Sequence, residues 1–375
     1  MRTKTVASFF FLFTFLQTAF CQNRGTDETV NAILTKYGKV FVKDKSISSA
    51  TIGIYQKGEI YTQHFGELHK GQGDTPTDET IYEIGSVTKP MTGFLVAKAV
   101  LDGKLQLSDT VQNYLEGDYQ NLSYQGDPIT IQHLLTHTSG LPTFLPKAMG
   151  PLFENLNDDV PTQYFELEKQ YDKTRFFEDL KSIQLVEKPG TTYNYSNAGV
   201  DLLGHILEQV YDKDIDSLLK ENLFTPNQME NTGIHLPTTK LDNLTQGYWK
   251  TNTSLSPNQL NTLWATGSGA KSTIVDMLKF IALQLDQNNA TVQESQRVLF
   301  EGEELLKVGY LWRVWGDKYG RSYNHHGGTT GMQNWLFIFP KYDLGISIIT
   351  NQSGPKTPGK LSNTAQKILK ALVKA

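Results

Sequence analysis

Four serines in the chain are followed three residues later by a lysine: Ser86/Lys89, Ser217/Lys220, Ser268/Lys271 and Ser353/Lys356. On a helix this spacing puts hydroxyl and amine on one face. The pairing is chemically useful because a serine hydroxyl is a weak nucleophile until a neighbouring base takes its proton, and lysine is such a base only where its own pKa is lowered. Context separates the four. Ser217 falls inside the apolar stripe Ile215, Leu218, Leu219 of a surface helix, while Ser268 and Ser353 lie among glycines in turns. Ser86 alone stands where a strand-like run ends in Gly85 and an amphipathic helix begins, so its backbone N–H faces a helix N-terminus that can stabilise an oxyanion.

Two further polar groups could complete a site. Tyr195 and Asn197 sit in Pro189-Gly190-Thr191-Thr192-Tyr193-Asn194-Tyr195-Ser196-Asn197, a tight loop leading into the helical stripe Leu202, Leu203, Ile206, Leu207, Val210. Such a loop can aim a phenol and an amide at one point, although Tyr119 and Asn121 repeat the spacing in a polar connection and a capping or core tyrosine is the plain alternative. The third group is Asn324-His325-His326-Gly327-Gly328-Thr329-Thr330-Gly331. A glycine-rich strand edge admits a ligand close to the backbone and offers N–H donors, although a polar hairpin connection reads the same way.

The elements that must hold these groups follow from periodicity. Residues 50–65 alternate as a hairpin about Lys57-Gly58, and β-rich runs return at Val308–Trp315, Met332–Phe339 and Leu344–Thr350. Between them, from about residue 105 to 297, helical stripes dominate, and Leu361, Ala365, Ile368, Leu369 and Leu372 mark a closing helix. A mixed α/β (α+β) fold is expected: one antiparallel sheet built from both termini, about 45–85 and 300–375, flanked by helices and interrupted by a largely helical lobe at about 105–297. A cleft should lie between sheet and lobe.

The composition is that of a globular protein, with 38% hydrophobic residues, and the net charge of −4 argues against a nucleic-acid partner. Arg2 and Lys4 precede an apolar run through Phe20 that reads as a secretory signal over residues 1–21, too short for a spanning helix, leaving 22–375 as a single catalytic domain. Cleavage near Cys21 would deliver a secreted or periplasmic chain; lipid anchoring through Cys21 is the alternative. Cys21 is the only cysteine, so disulfides, thiol catalysis and cysteine metal sites are not expected. His133 and His137 lack the acidic residue of an H-E-x-x-H pair, and there is no G-x-S-x-G, P-loop or dinucleotide fingerprint. Neither metal nor cofactor is expected, and a monomer is.

Taken in order, Ser86-Val87-Thr88-Lys89, Tyr195-Ser196-Asn197 and His326-Gly327-Gly328 resemble the S-x-x-K, Y-x-N and K-T-G or H-x-G elements of the serine β-lactamase and penicillin-binding-protein superfamily, class C type. The runs Ile129–Pro142 and Gly267–Thr273 also resemble it, so the likeness extends from about Ile52 to Thr350. The resemblance implies a β-lactamase/transpeptidase-like fold and a hydrolase that acylates Ser86. It makes Lys89 the serine's first partner, Tyr195 the proton shuttle to the leaving group, and Asn197 a holder of substrate or of Lys89. The oxyanion donors it implies are the N–H groups of Ser86 and Thr329, with His326 and Gly328 at the substrate edge.

The departure is His326, where the best-known β-lactamases carry lysine; a mostly neutral histidine gives a substrate carboxylate no fixed charge. The expected substrate is therefore a small molecule or peptide with a reactive amide, ester or β-lactam carbonyl. A D-Ala-D-Ala carboxypeptidase, a D-aminopeptidase and a non-catalytic penicillin-binding or sensor protein are the alternatives.

Overall fold

A computed structural model describes residues 11–250, 253–303 and 306–374, with side chains from residue 27 onward. Residues 1–10 of the expected leader lie outside it, and residues 11–21 form the start of the first helix, α1 (Phe11–Val42). No helix among the described residues is long and apolar enough to cross a membrane.

The centre is an eight-stranded sheet of β1 (Ser49–Gln56), β2 (Glu59–Gly66), β3 (Phe300–Glu301), β4 (Lys307–Gly309), β5 (Trp312–Asp317), β6 (Gly320–Gly328), β7 (Gln333–Phe339) and β8 (Leu344–Thr350). Its order is β2-β1-β8-β7-β6-β5-β4-β3, every neighbour antiparallel, so the first and last strands in sequence lie side by side, one strand in from the β2 edge, with Ile52 opposite Ile348. The expected hairpin at 50–65 is present as β1 and β2.

The run at Val308–Trp315 is not one strand. It folds into β4 and β5 about Tyr310 and Leu311, both with left-handed backbone (φ 44° and 69°), the requirement of a two-residue hairpin turn. Neither residue is a usual turn former, so tertiary contacts hold the turn: Leu311 N–H donates to Leu135 O at 3.0 Å and the Tyr310 hydroxyl bonds Glu294.

Each sheet face has its own core. Phe41, Ile52, Trp335, Ile346 and Ile368 pack the outer face beneath α1 and the closing helix. The inner face carries the larger cluster, to which α2 (Thr88–Leu101), α4 (Asn197–Tyr211) and α5 (Ile274–Leu285) contribute among other elements; α3 (Val160–Lys169) belongs to the lobe, and α6 (Thr357–Leu372) is the closing helix. On α4 the expected stripe Leu202, Leu203, Ile206, Leu207 is fully buried, each side chain contributing about 1.5–3 kcal/mol. α2 differs from expectation: it is buried on nearly every side from Thr88 to Ala99, a central helix and not an amphipathic surface one.

Candidate active site

The site is assembled where the N-terminus of α2 meets the free end of β6. Ser86 lies in a short 3₁₀ turn, Gly85–Val87, immediately before α2. Gly85 has φ +50°, and a side chain there would lie 2.6 Å from Gly328 N, so only glycine lets the turn press against β6. Ile84 anchors the approach: its N–H donates to Ala270 O at 3.0 Å and its carbonyl accepts from Asn334 Nδ2 at 2.9 Å. Thr88 Oγ1 closes the turn, donating to Gly85 O at 2.7 Å and accepting from Ala270 N–H at 3.0 Å.

One turn along α2, Lys89 is wholly buried. Its Nζ lies 3.2 Å from Ser86 Oγ and 2.6 Å from both Asn197 Oδ1 and Gly267 O. A neutral amine has two N–H donors and one lone pair; the two carbonyl oxygens take the donors, which leaves the lone pair for the serine. Burial brings its pKa down to about 7, helped by the Arg313 charge and opposed by Asp201.

Tyr195 is positioned by the segment that leads to Pro142. Asn194 N–H donates to His137 O (2.7 Å), Ser196 N–H to His137 Nδ1 (3.2 Å), Asn197 N–H to Thr143 O (2.9 Å) and Ser196 Oγ to Pro142 O (2.7 Å). Ser196 Oγ also caps α4 by accepting from Gly199 N–H at 2.9 Å. Since Ser196 donates to Nδ1, neutral His137 carries its proton on Nε2, and its ring packs 4.4 Å from that of Tyr195. His133 and His137 therefore serve the backbone, His133 by accepting from Thr130 N–H. Burial pushes the Tyr195 phenol up to about 12, with the Ser86 hydroxyl and Arg313 pulling the other way.

One expectation at the glycine edge needs correction. Thr329 N–H is not free to hold an oxyanion: it donates to Met332 O at 2.9 Å, closing the turn into β7. Consecutive strand amides point to opposite edges, so the N–H of Gly328 faces the Gly85–Ser86 turn. That edge is open because β5 stops pairing at Asn324. His326 borders the cavity, whereas its neighbour His325, on the opposite face of β6, brings its ring within 6.5 Å of that of Tyr195. Burial, together with Arg313 and Lys89, holds His325 well below the usual histidine pKa, and burial takes His326 down to about 4. The His326 ring lies 5.2 Å from that of Trp335.

Ser86, Tyr195, Asn197, Arg313, His326 and Gly328 border one cavity of about 450 Å³ in the cleft between sheet and lobe. Phe144, Phe153, Leu156 and Tyr164, from the stretch following Pro142, form a largely apolar wall. Arg313 carries no signal of its role in the sequence. It is an ordinary-looking strand residue, and only the opposition of Arg313 to Asn324 in β5 and β6 carries it to the site. Its guanidinium lies 5.8 Å from the Tyr195 ring centroid and pairs with no carboxylate among the described residues, which gives the cavity the permanent positive charge that position 326 lacks.

The other serine–lysine spacings are spoken for. Ser217 donates to the capping Asp214, Ser353 Oγ donates to Thr329 O, and Lys271 Nζ binds the carbonyls of Ile234 and Gly269.

Comparison with known proteins agrees with this arrangement. Over 396 residues the chain is 25% identical to a beta-lactamase of Escherichia coli K12, spanning 95% of this chain and 97% of that one. It is 26% identical to Protein flp of Staphylococcus aureus MW2 over 83% of its own length, but spans only 61% of that relative. Among solved structures it superimposes on a beta-lactamase/D-alanine carboxypeptidase from Yersinia pestis, crystallised with citrate, with a TM-score of 0.78 at 22% identity over 92% and 98% of the two chains. An octameric penicillin-binding protein homologue from Pyrococcus abyssi matches with a TM-score of 0.73 at 21% identity over 92% and 77%. The Beta-lactamase family model matches residues 30–370, and with sheet, cleft and the order of the site segments in accord, the chain belongs to that family.

Proposed function

We propose that the protein is a serine hydrolase that works through an acyl-enzyme on carbonyl compounds carrying a nearby carboxylate, β-lactams and D-alanyl peptides being the substrate classes of that form. The observation that carries the reading is Lys89, buried and turned by two carbonyl oxygens so that its free lone pair meets Ser86. Ser86 Oγ attacks the carbonyl carbon as Lys89 takes its proton, and the N–H groups of Ser86 and Gly328 receive the oxyanion. Collapse breaks the bond to the leaving group, which takes the Tyr195 proton; Lys89 then returns its proton to Tyr195. Water then attacks the acyl carbon as neutral Lys89 takes its proton, and Lys89 passes that proton to Ser86 Oγ as the acyl–oxygen bond breaks. Lys89, near 7, is the better base, and Tyr195, near 12, the acid held in reserve.

Arg313 supports the carboxylate part of the reading and disfavours a D-aminopeptidase, whose substrates present an ammonium group there. The low Lys89 pKa disfavours a non-catalytic sensor, which has no use for it. Secretion by cleavage near Cys21 and a monomeric state complete the proposal; the mass of the mature N-terminus and light scattering test these two. The activity itself is tested by hydrolysis of nitrophenyl acetate and of an N-acyl-D-alanyl-D-alanine, against Ser86→Ala. Turnover that survives in Ser86→Ala overturns the assignment.

A further inference from the structure

Behind Lys89 lies a carboxyl group that the steps above do not use. Asp201 is one helical turn after Asn197 on α4, so the two share a face. Asn197 binds Lys89 directly, whereas among the described residues Asp201 forms no ion pair and its Oδ1, shut off from solvent, has no hydrogen-bond partner. The intervening layer is Thr266-Gly267. Thr92 of α2 donates to Thr266 O and Thr266 donates to Val200 O of α4, both at 2.8 Å, while Gly267 O receives Lys89. Asp201 and Asn197 also border a small cavity of about 50 Å³ together with Tyr164, Glu168, Tyr171 and Ser268.

A buried carboxyl without a salt bridge is costly to keep unless its charge is used. We propose that Asp201 is a positioning residue for the Ser86 reaction: through the Asn197–Gly267 layer its carboxyl sets how tightly Lys89 holds its proton, and so the pH at which the nucleophile is armed. The inference rests on the acyl-enzyme reading. Around the pair stand Arg313 from β5 and His137, both facing Lys89, and Glu168, Tyr164 and Tyr171 from α3 and the residues after it, facing Asp201. Of these Arg313 disfavours the lysine's charge, His137 is held neutral, and Glu168 disfavours that of Asp201. Burial, eased by the Lys89 charge and the Gly267 N–H, raises Asp201 to about 7, so it and Lys89 titrate in the same range and share protons as a pair.

The sign is fixed. An ionised Asp201 favours the charged amine, so removing it lets Lys89 lose its proton at lower pH. Measured as the pH dependence of the acylation burst with nitrophenyl acetate, Asp201→Asn should move the acidic limb down by about one pH unit, and Asp201→Glu should bring it back. A merely structural carboxyl would lower the rate without moving the limb. Profiles of wild type and Asp201→Asn that superimpose after scaling overturn the inference. Should the Asn variant fail to fold by circular dichroism, the Glu and Ser variants carry the comparison. Equal bursts in wild type and Ser86→Ala would instead sink the acyl-enzyme reading, so the two failures are distinguishable.

Discussion

Lys89 Nζ and Ser86 Oγ stand 3.2 Å apart at the head of a helix buried on nearly every side. The amine cannot reach solvent; its hydrogen-bond partners are two carbonyl oxygens and the serine it would activate, and it lies 4.7 Å from the centroid of the Tyr195 ring. A base thus exists at neutral pH because burial withholds from the ammonium form the water it needs.

Acylation should rise with pH through about 7 as Lys89 loses its proton. Lys89→Met should lower it about 10²–10⁴-fold, the usual contribution of a positioned base. Stopped-flow release of nitrophenol across pH 5–9 checks both.

The same lysine should destabilise the fold. Its folded pKa, about 7, is below its ordinary 10.5, so the unfolded chain binds the extra proton between those values and stability rises with pH across that window. Lys89→Met should therefore melt higher than wild type at pH 7, by about 2 °C or more. A melting curve at pH 7 decides; a lower Tm would contradict it.

Arg313→Gln should cut kcat/KM for an N-acyl-D-alanyl-D-alanine about 10-fold or more, the value of a charge-assisted contact. Nitrophenyl acetate, which has no carboxylate, should change less than about threefold once measured above the Lys89 limb. His326→Lys should add little, because the cavity already holds a cation.

Gly327 and Gly328 should respond oppositely to alanine. A side chain at Gly327 would meet Ile84 O at 2.0 Å, whereas one at Gly328 would find nothing nearer than His326 at 3.5 Å. Gly327→Ala should lose folded yield and activity together, and Gly328→Ala should keep activity within about tenfold. Expression and burst amplitude of the two variants settle it.

Much of this is legible in the sequence. The serine at a strand-to-helix junction, the Tyr195 loop before a strongly periodic helix, and the sheet shared by both ends all follow from local pattern. What escaped depends on pairing across the sheet. Arg313 is unremarkable until the hairpin at Tyr310-Leu311 turns it opposite Asn324, and no turn-forming residue announces that hairpin. The choice between Gly328 and Thr329 is a matter of strand register, where one residue reverses every direction. Asp201 looks like any polar residue at the start of a helix until the Thr266-Gly267 layer closes over it.

The central claim is that Ser86 becomes acylated. Intact mass after incubation with benzylpenicillin or a fluorophosphonate, followed by peptide mapping, reads this directly. The expected result is one adduct on the Ser86 peptide in wild type, lost in Ser86→Ala and slowed in Lys89→Met. An unmodified wild type, or an adduct that persists in Ser86→Ala, would contradict it.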